Sequence, residues 1–214
     1  MGHAIEALAQ GRGHEVVACI DAEGEWPARL DADVAIEFST PATAAANVER
    51  CIDCGVAVVC GTTGWNADYD RVAAHCRAVG GRMLTASNFS VGMNIVFAIN
   101  RRLAALMAPH PEYRVDISET HHVHKLDAPS GTALTLRDQI VDCGGRDAVQ
   151  IPIESVREGE VAGIHTVRYA SEADTITLCH EAHSRRGLAE GALLAAEWLT
   201  QAGAGVYTMQ DVVG

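Results

Sequence analysis

Hydrophobic positions near the start of the chain alternate between short runs rich in β-branched residues and longer Ala-rich stretches. The short runs predict strands and the Ala-rich stretches predict helices, an alternation typical of a parallel sheet covered by helices. The expected strands are residues 15–20, 33–38, 56–60 and 82–86. The expected helices are residues 2–10, 41–54 and 67–79.

The pattern changes near residue 90, after which strands follow one another directly. A helix over residues 91–108 leads to a strand that ends in histidines, and a further helix is expected over residues 133–141. The remaining strand patterns are residues 149–156, 163–170 and 175–183. Short polar turns join them, which favours a largely antiparallel α+β unit.

The last helix pattern, residues 188–201, shares the Ala and Leu content of the helices near the start of the chain. Similar composition favours packing against the same sheet. We therefore expect an α/β protein of two domains. One comprises residues 1–89 and 186–214 around the parallel sheet, and the other comprises residues 90–185.

Charge and hydropathy exclude several classes of partner. The chain has 28 Asp and Glu against 16 Lys and Arg, a formal net charge of -12. This balance argues against binding to nucleic acid or to an anionic membrane, because both require a basic face. The apolar stretches are interrupted well before the ~18 residues of a membrane span, and no signal-peptide pattern opens the chain. We therefore expect a cytoplasmic protein.

The seven cysteines predict no covalent framework. Their number is odd, and their spacing fits neither a set of disulfides nor a zinc site with four ligands. Cys51 and Cys54 form a Cys-x-x-Cys pair near the end of a predicted helix, where the helix dipole disfavours a thiolate. Reduced core thiols are the expected state.

The segment from Glu119 to Thr132 holds the densest chemistry. Three of the ten histidines and the single lysine of the chain, Lys125, fall within five positions of it. A lysine retained where every other strong base is arginine indicates proton transfer, because arginine stays protonated whereas an ammonium can give up its proton. Chance survival of one lysine is the alternative.

The histidines of this segment, His121, His122 and His124, have two other interpretations. They could form a solvated strand end or a metal pair, since imidazole is a common metal ligand. Against a metal, Glu119 and Asp127 show no recognisable ligand spacing, and Lys125 would repel a cation. No metal is therefore expected.

Downstream, Ser130 is predicted to cap the next helix at its N-terminus. The backbone N–H groups and the dipole at such a helix start attract a carboxylate. Ordinary capping explains most sequences of this kind. Together with the basic cluster just before it, however, this helix start could hold both ends of a dianion.

Cofactor-like signals occur earlier in the chain. Asp21 follows the predicted strand at residues 15–20, where a carboxylate can accept hydrogen bonds from the hydroxyls of an adenosine ribose. Neither Ala22 nor Glu23 is basic, so NADH is expected to be preferred over NADPH. Gly61 and Gly64 flank two threonines after another strand, where glycine lets the backbone approach a flat ring. A polar strand end and a plain turn are the alternatives.

At this point the sequence resembles the dihydrodipicolinate reductase family, also named hydroxy-tetrahydrodipicolinate reductase. The resemblance covers essentially the whole chain. Its most specific part is His121-His122-x-His124-Lys125-x-Asp127-Ala128-Pro129-Ser130-Gly131-Thr132-Ala133. The other matches are Glu37-Phe38-Ser39-Thr40-Pro41, Gly61-Thr62-Thr63-Gly64, Asn88-Phe89-Ser90-Val91-Gly92, His165-Thr166-Val167 and Ser184-Arg185.

The resemblance implies a Rossmann-like cofactor domain and a second domain that binds substrate and builds a homotetramer. It implies that NADH or NADPH reduces dihydrodipicolinate, a small dicarboxylate, to tetrahydrodipicolinate in the diaminopimelate route to lysine. His121 and Lys125 would then be catalytic, and the substrate would be bound by His122, Ser130, Gly131 and Thr132. The cofactor-binding candidates are Gly2, Asp21, Phe38, Ser39, Gly61, Thr62, Thr63, Ala86, Ser87, Asn88 and Phe89.

One departure from the family pattern concerns the N-terminus. Members begin with a strand and a Gly-x-x-Gly-x-Met-Gly turn, whereas this chain opens at Met1-Gly2-His3, which matches only the last two positions. We expect Met1 to be an internal methionine preceded by about ten residues, enough for one strand and its turn. A chain that truly begins at Met1 is expected to bind the cofactor weakly.

Two other functions are compatible with parts of the pattern. The first is another nicotinamide oxidoreductase of similar two-domain plan, such as a semialdehyde or sugar dehydrogenase. A semialdehyde dehydrogenase would need a nucleophilic cysteine at a helix start, and none of the seven has that context. A weak or inactive nicotinamide-binding module is the second alternative, because the glycine-rich turn is incomplete. Retention of both His121 and Lys125 argues against a mere sensor, which needs no proton donor.

Overall fold

The computed structural model describes residues 1–21 and 24–214 of the chain. These residues form two compact units. Unit 1 comprises residues 1–91 and 186–214, and unit 2 comprises residues 92–185. Helices and strands are numbered along the whole chain.

Unit 1 is a parallel sheet with helices on both faces. Its elements are α1 (Gly2–Gly11), β1 (Val34–Glu37), α2 (Pro41–Asp53), β2 (Ala57–Cys60), α3 (Asn66–Ala78), β3 (Arg82–Thr85), α6 (Arg186–Gln201), β8 (Gly205–Tyr207) and α7 (Met209–Val213). The strands lie in the order β1-β2-β3-β8, and each neighbouring pair is parallel. The expected Rossmann-like sheet is confirmed.

The residues of β2 show why this sheet needs two helical layers. All four are buried, and side chains alternate between the faces of a strand. Ala57 and Val59 join a core with α1 and α6, while Val58 and Cys60 join a core with α2 and α3. The sequence of a strand buried on both faces is therefore a continuous apolar run, without alternation of apolar and polar residues.

One expected strand is wrong. Residues 15–20 form no strand, and Val16 and Val17 are 36% and 55% exposed. A strand needs a neighbour that satisfies its backbone groups. In the described part of the chain, β1 pairs with β2 alone, and residues 15–20 pair with neither β1 nor any other strand.

Two short elements of unit 1 were not predicted. β8 has three residues and α7 has five, lengths too short to show a hydrophobic period. Both depend on their surroundings: β8 pairs with β3, and α7 starts at a capping box in which Thr208 and Asp211 bond to each other's backbone.

Unit 2 contains a mixed sheet packed against helices. Its elements are α4 (Val91–Met107), β4 (Arg114–His121), α5 (Gly131–Gly144), β5 (Ile153–Arg157), β6 (Gly163–Ala170) and β7 (Thr175–Ala182). The strand order is β5-β4-β6-β7. β4 is parallel to β5 and antiparallel to β6, and β6 is antiparallel to β7. The expected largely antiparallel sheet is confirmed.

Alternation along β4 and β6 turns one face of this sheet toward the core. Val115 and Ile117 of β4, and Val167 and Tyr169 of β6, are buried in one cluster with residues of α4 and α5. Every second residue of both strands is buried in this way. Beyond these apolar positions the same face becomes polar, and that change positions the candidate site.

The strand expected at residues 149–156 begins later than predicted. Residues Ala148–Gln150 form a short 3-10 helix that Asp147 caps by accepting a hydrogen bond from Val149 N–H at 3.0 Å. Pro152 follows and has no N–H to donate to a ladder. The strand therefore starts at Ile153.

Within residues 1–21 and 24–214, no helix combines the length and apolar character that a membrane crossing requires.

Candidate functional site

The inward face of the unit 2 sheet becomes polar where β4 ends. Glu119 and His121 continue the buried alternation of β4, and His165 occupies the equivalent face of β6. Glu119 lies opposite His165 in the antiparallel register, and Arg157 of β5 lies beside His121 in the parallel one. Strand register thus gathers four ionisable side chains at one corner of the core.

Glu119 is at the centre of this group, and its side chain is fully buried. Its Oε1 accepts hydrogen bonds from Arg157 Nη2 at 2.9 Å and from Ser130 N–H at 3.3 Å, while its Oε2 contacts Nδ1 of His121. The ring of His165 meets that of His121 edge-on, with centroids 4.9 Å apart, and its Nε2 lies 3.2 Å from Ser130 Oγ. A buried carboxylate requires such partners.

Burial and neighbouring charges set the ionisation of this group. Burial raises the pKa of Glu119, but hydrogen bonds from Ser155 and then Arg157, together with nearby charge, outweigh it and hold the pKa below its usual value. Burial lowers the pKa of His121; the Glu119 charge opposes this shift, and Lys125 reinforces it. Burial, and then His121, lower the pKa of His165 to about 4. At neutral pH the group therefore holds one carboxylate and two neutral imidazoles.

Lys125 lies on the loop that follows β4. Its Nζ donates to Asp127 Oδ1 at 2.7 Å, and its side chain is 23% exposed. Arg157 holds this loop, since its Nε donates to the carbonyl of Lys125 at 3.3 Å and its Nη2 to that of Asp127 at 2.5 Å. One guanidinium therefore connects the loop that carries the lysine to Glu119.

The start of α5 lies at the same corner. Ser130 is its N-cap, as predicted, and its Oγ accepts from Ala133 N–H at 3.2 Å. Thr132 is buried, whereas a Cβ added at Gly131 would meet nothing within 4 Å. The first N–H groups of a helix have no acceptor inside the helix, so the open space over Gly131 gives an anion access to them.

His122 has a neighbour to which the sequence analysis gave no role. Arg185 Nη2 lies 3.0 Å from His122 Nε2. Arg185 belongs to the Ser184-Arg185 pair, which appeared only as part of the family resemblance. Its guanidinium places a positive charge beside His122, a substrate-binding candidate.

The cofactor candidates of unit 1 lie after three neighbouring parallel strands. They are Phe38 and Ser39 after β1, Gly61, Thr62 and Thr63 after β2, and Ala86, Ser87, Asn88 and Phe89 after β3. Ser39 N–H donates to Thr62 Oγ1 at 2.8 Å, which joins the first two loops. A Cβ on Gly61 would lie 2.1 Å from the Phe38 ring, so a glycine is required there. The parallel order thus brings nine candidates to one edge of the sheet.

The other two cofactor candidates have different settings. Gly2 is the first residue of α1 and is exposed. Asp21 does not follow a strand, so the structural reason for choosing it is wrong, and its contact with a ribose stays a prediction. The expected preference for NADH depends on Ala22 and Glu23, which lie outside the described residues.

Glu119, His121 and His165 could also be considered as metal ligands. Each offers one donor atom, and these atoms lie within 4.8 Å of one another. Both oxygens of Glu119 already have partners, Arg157 and His121, and a guanidinium beside the carboxylate disfavours a further cation. The contacts therefore describe a hydrogen-bonded group, and the expectation of no metal stays a prediction.

Glu119, Arg157 and His165 had no predicted functional role. A signal for two of them was present, because Glu119 and His165 occupy positions of the strand alternation that otherwise hold apolar residues. A charged or imidazole side chain at an inward position predicts a buried polar group. Arg157 had no such signal, since β5 lacks a clear alternation.

Comparisons with known proteins cover both units. Residues 1–89 match the family model described as the N-terminus of dihydrodipicolinate reductase, and residues 92–213 match that of its C-terminus. The 4-hydroxy-tetrahydrodipicolinate reductase of Christiangramia forsetii is 41% identical, over 100% of this chain and 93% of the relative. That of Methylococcus capsulatus is 37% identical, over 85% and 73%.

A solved structure shares the fold. The dipicolinate-bound dihydrodipicolinate reductase from Paenisporosarcina sp. TG-14 superposes with a TM-score of 0.75 at 22% identity, covering 97% of this chain and 93% of that one. Both family models, and the relative that is aligned over the whole chain, identify the same family. This is the family that the segment at the end of β4, with its histidines and lysine, resembles. The chain belongs to the dihydrodipicolinate reductase family.

Proposed function

We propose that this chain is a dihydrodipicolinate reductase of the diaminopimelate route to lysine. In the proposed reaction the substrate ring gains a hydride and a proton and becomes tetrahydrodipicolinate. The observation that carries the proposal is the corner of unit 2 where His121, Lys125 and the start of α5 lie together around Glu119. Family membership and the names of the relatives support the same reaction.

The residues of unit 2 divide into proton carriers and anion binders. His121 is the proposed proton donor or acceptor and Lys125 the second proton donor, since a neutral imidazole and an ammonium can both exchange protons. The start of α5 at Ser130, Gly131 and Thr132 would bind one carboxylate of the ring. His122, with a guanidinium 3.0 Å away, would bind the other.

The residues of unit 1 fit a nicotinamide dinucleotide. Glycine at position 61 lets the chain pass close to Phe38, and the loops after β1 and β2 are fixed to each other. α1 begins at Gly2, and a helix start attracts phosphate. When bound, the reduced nicotinamide supplies the hydride. NADH is the proposed preferred form over NADPH.

We propose further that the protein forms a homotetramer in the cytoplasm. Ile95, Ile99 and Leu106 form an exposed apolar stripe along α4, and they are 47%, 47% and 53% exposed. β7 is an eight-residue strand at the edge of its sheet. Exposed apolar stripes and long edge strands are features that proteins commonly cover by association. Light scattering after size exclusion measures the mass.

A coupled assay tests the reaction. Freshly made dihydrodipicolinate is offered with NADH or NADPH, and oxidation of the cofactor is followed by absorbance. Lys125→Arg keeps the charge but is expected to lower turnover at least ~100-fold, in line with the contribution of a general acid. Arg137→Lys, an exchange on the surface of α5, is the control. Failure of the wild-type protein to oxidise either cofactor would overturn the proposed function. Near-normal turnover of Lys125→Arg would leave Lys125 as an anion binder.

A further inference from the structure

His121 has two distinct ring nitrogens. Its Nδ1 faces Oε2 of the buried Glu119, while its Nε2 faces the start of β6. A Cβ added at Gly163 would lie 3.1 Å from that Nε2 and 3.3 Å from the adjacent Cδ2. A side chain at position 163 would therefore crowd Nε2, and glycine avoids this, whereas Nδ1 is fully enclosed.

The contact at Nδ1 determines which nitrogen carries the proton. An ionised carboxylate only accepts hydrogen bonds, so a neutral imidazole beside it must present Nδ1–H. Glu119 itself cannot turn away, because its other oxygen accepts from Arg157 at 2.9 Å and from Ser130 N–H at 3.3 Å. The orientation of the ring thus depends on a carboxylate held by two other elements, β5 and the start of α5.

We propose that Glu119, held by Arg157, is a positioning residue that fixes His121 in the Nδ1–H tautomer and presents Nε2 as the atom that exchanges protons with the substrate. This inference deepens the proposed reductase function and rests on it. It assigns a role to a carboxylate whose side chain is fully buried. A buried acid that orients a histidine is a general solution in acid–base catalysis.

The surroundings of His121 act in opposite directions. Burial disfavours the protonated imidazole most, Glu119 favours it, and Lys125 from the loop after β4 and Arg157 from β5 disfavour it. His165 from β6 packs edge-on against the same ring. Removal of the Glu119 charge should therefore lower the pKa of His121. It should also let the Nε2–H tautomer form, because a neutral amide can donate to an unprotonated Nδ1.

The first test needs no substrate. Protein labelled with 15N-histidine is examined by long-range proton–nitrogen NMR above pH 7, and the His121 signals are assigned from their loss in His121→Asn. The expected pattern has the proton on Nδ1 and a bare Nε2. A predominant Nε2–H tautomer in the wild-type protein would falsify the proposal, whatever the protein catalyses.

The second test uses Glu119→Gln, which keeps the shape and removes the charge. Its kcat is expected to fall about 10- to 100-fold with a smaller change in KM, as when groups that orient a working imidazole are lost. The inflection of kcat/KM that belongs to His121 should move to lower pH. Glu160→Gln is the matched control, because it removes the carboxylate of an exposed Glu160–His124 pair at 3.2 Å and should leave kcat unchanged.

A third variant separates positioning from folding. Glu119→Asp retains the charge and should restore the wild-type pH inflection and the Nδ1–H tautomer, even if its kcat stays lower. An unshifted inflection in a folded Glu119→Gln would overturn the proposal. If that variant does not fold, the tautomer in the wild-type protein still decides. If the wild-type protein shows the expected tautomer but has no reductase activity, the proposed function is refuted and the tautomer assignment stands.

Discussion

Each unit has a buried glutamate at or near the end of a strand, and the surroundings of the two differ. Glu119 of β4 is 1% exposed, and Glu37 of β1 is 8% exposed. Glu119 contacts a guanidinium and an imidazole. Glu37 instead accepts from neutral groups: Ser39 Oγ, Asn47 Nδ2 at 3.4 Å and Cys60 Sγ at 3.1 Å. Among residues 1–21 and 24–214, no basic side chain forms an ion pair with Glu37.

The difference separates an electrostatic group from a structural one. Around Glu119, charges couple the ionisation of neighbouring groups, which suits a place where protons move. Around Glu37, the donors hold the loop after β1 in place, and burial together with the Glu37 charge raises the pKa of Cys60, so that its thiol stays a neutral donor. Burial alone therefore does not distinguish a carboxylate of the candidate site from a structural one; the charges of its partners do.

Breaking the ion pair of Glu119 should have the largest effect on stability. Arg157→Met leaves a buried carboxylate without its cation and should lower the free energy of unfolding by about 3–5 kcal/mol. Urea unfolding at pH 7.5 measures it. The control Arg168→Met breaks the Arg168–Asp116 pair of the same sheet, whose side chains are 52% and 33% exposed, and should change stability far less, because solvent screens an exposed pair. Equal losses would remove the contrast between buried and exposed pairs.

The second-largest effect is expected from acid, which should destabilise the buried group around Glu119. Burial lowers the pKa of His165 from 6.5 to about 4. Above pH 6.5 the ring is neutral in both folded and unfolded chains, but as the pH falls the unfolded chain binds the proton first. Stability is therefore lost between pH 6.5 and 4, by about 3 kcal/mol from this group. The slope measured by urea unfolding should be shallower in His165→Asn than in wild type and unchanged in the exposed-site variant His183→Gln. A wild-type slope in His165→Asn would contradict the assignment.

Near Glu37, steric fit should affect stability more than charge does. Gly61→Ala places a methyl group against the ring of Phe38, and such overpacking lowers the free energy of unfolding by about 1–3 kcal/mol. NADH affinity, measured by fluorescence titration, should also fall because the loop after β2 must move. Gly11→Ala, where a Cβ meets nothing within 4 Å, serves as the control. An unchanged NADH affinity in Gly61→Ala would remove this loop from the cofactor candidates.

The smallest effect is expected from neutralising Glu37. Its partners are uncharged, and the Ser39 hydroxyl can reverse and accept a hydrogen bond from an amide. Glu37→Gln should therefore lower the free energy of unfolding by only about 1 kcal/mol. Thermal melts compare it with Glu154→Gln at an exposed position of β5. A loss as large as that of Arg157→Met would show that Glu37 depends on a cation after all.

The sequence predicted most elements and missed those that depend on distant partners. Regular alternation located β4 and β6, and a capping residue located the start of α5 at Ser130. Residues 15–20 have the composition of a strand but do not form one. A strand also needs a neighbouring strand to pair with, and local composition does not show whether it has one. β8, only three residues long, exists because β3 pairs with it.

The site divides in the same way. Lys125, the histidines and the start of α5 lie within one short segment, so the identities and spacing of neighbouring residues were enough to select them. The partners that hold His121 come from other strands: Arg157 is 38 residues from Glu119, and His165 is 35 residues from Ser130. The sequence by itself determined which residues carry the chemistry, since side-chain type and local periodicity are local properties. Only the tertiary structure decided which of them touch, because strand register is set by packing over the whole sheet.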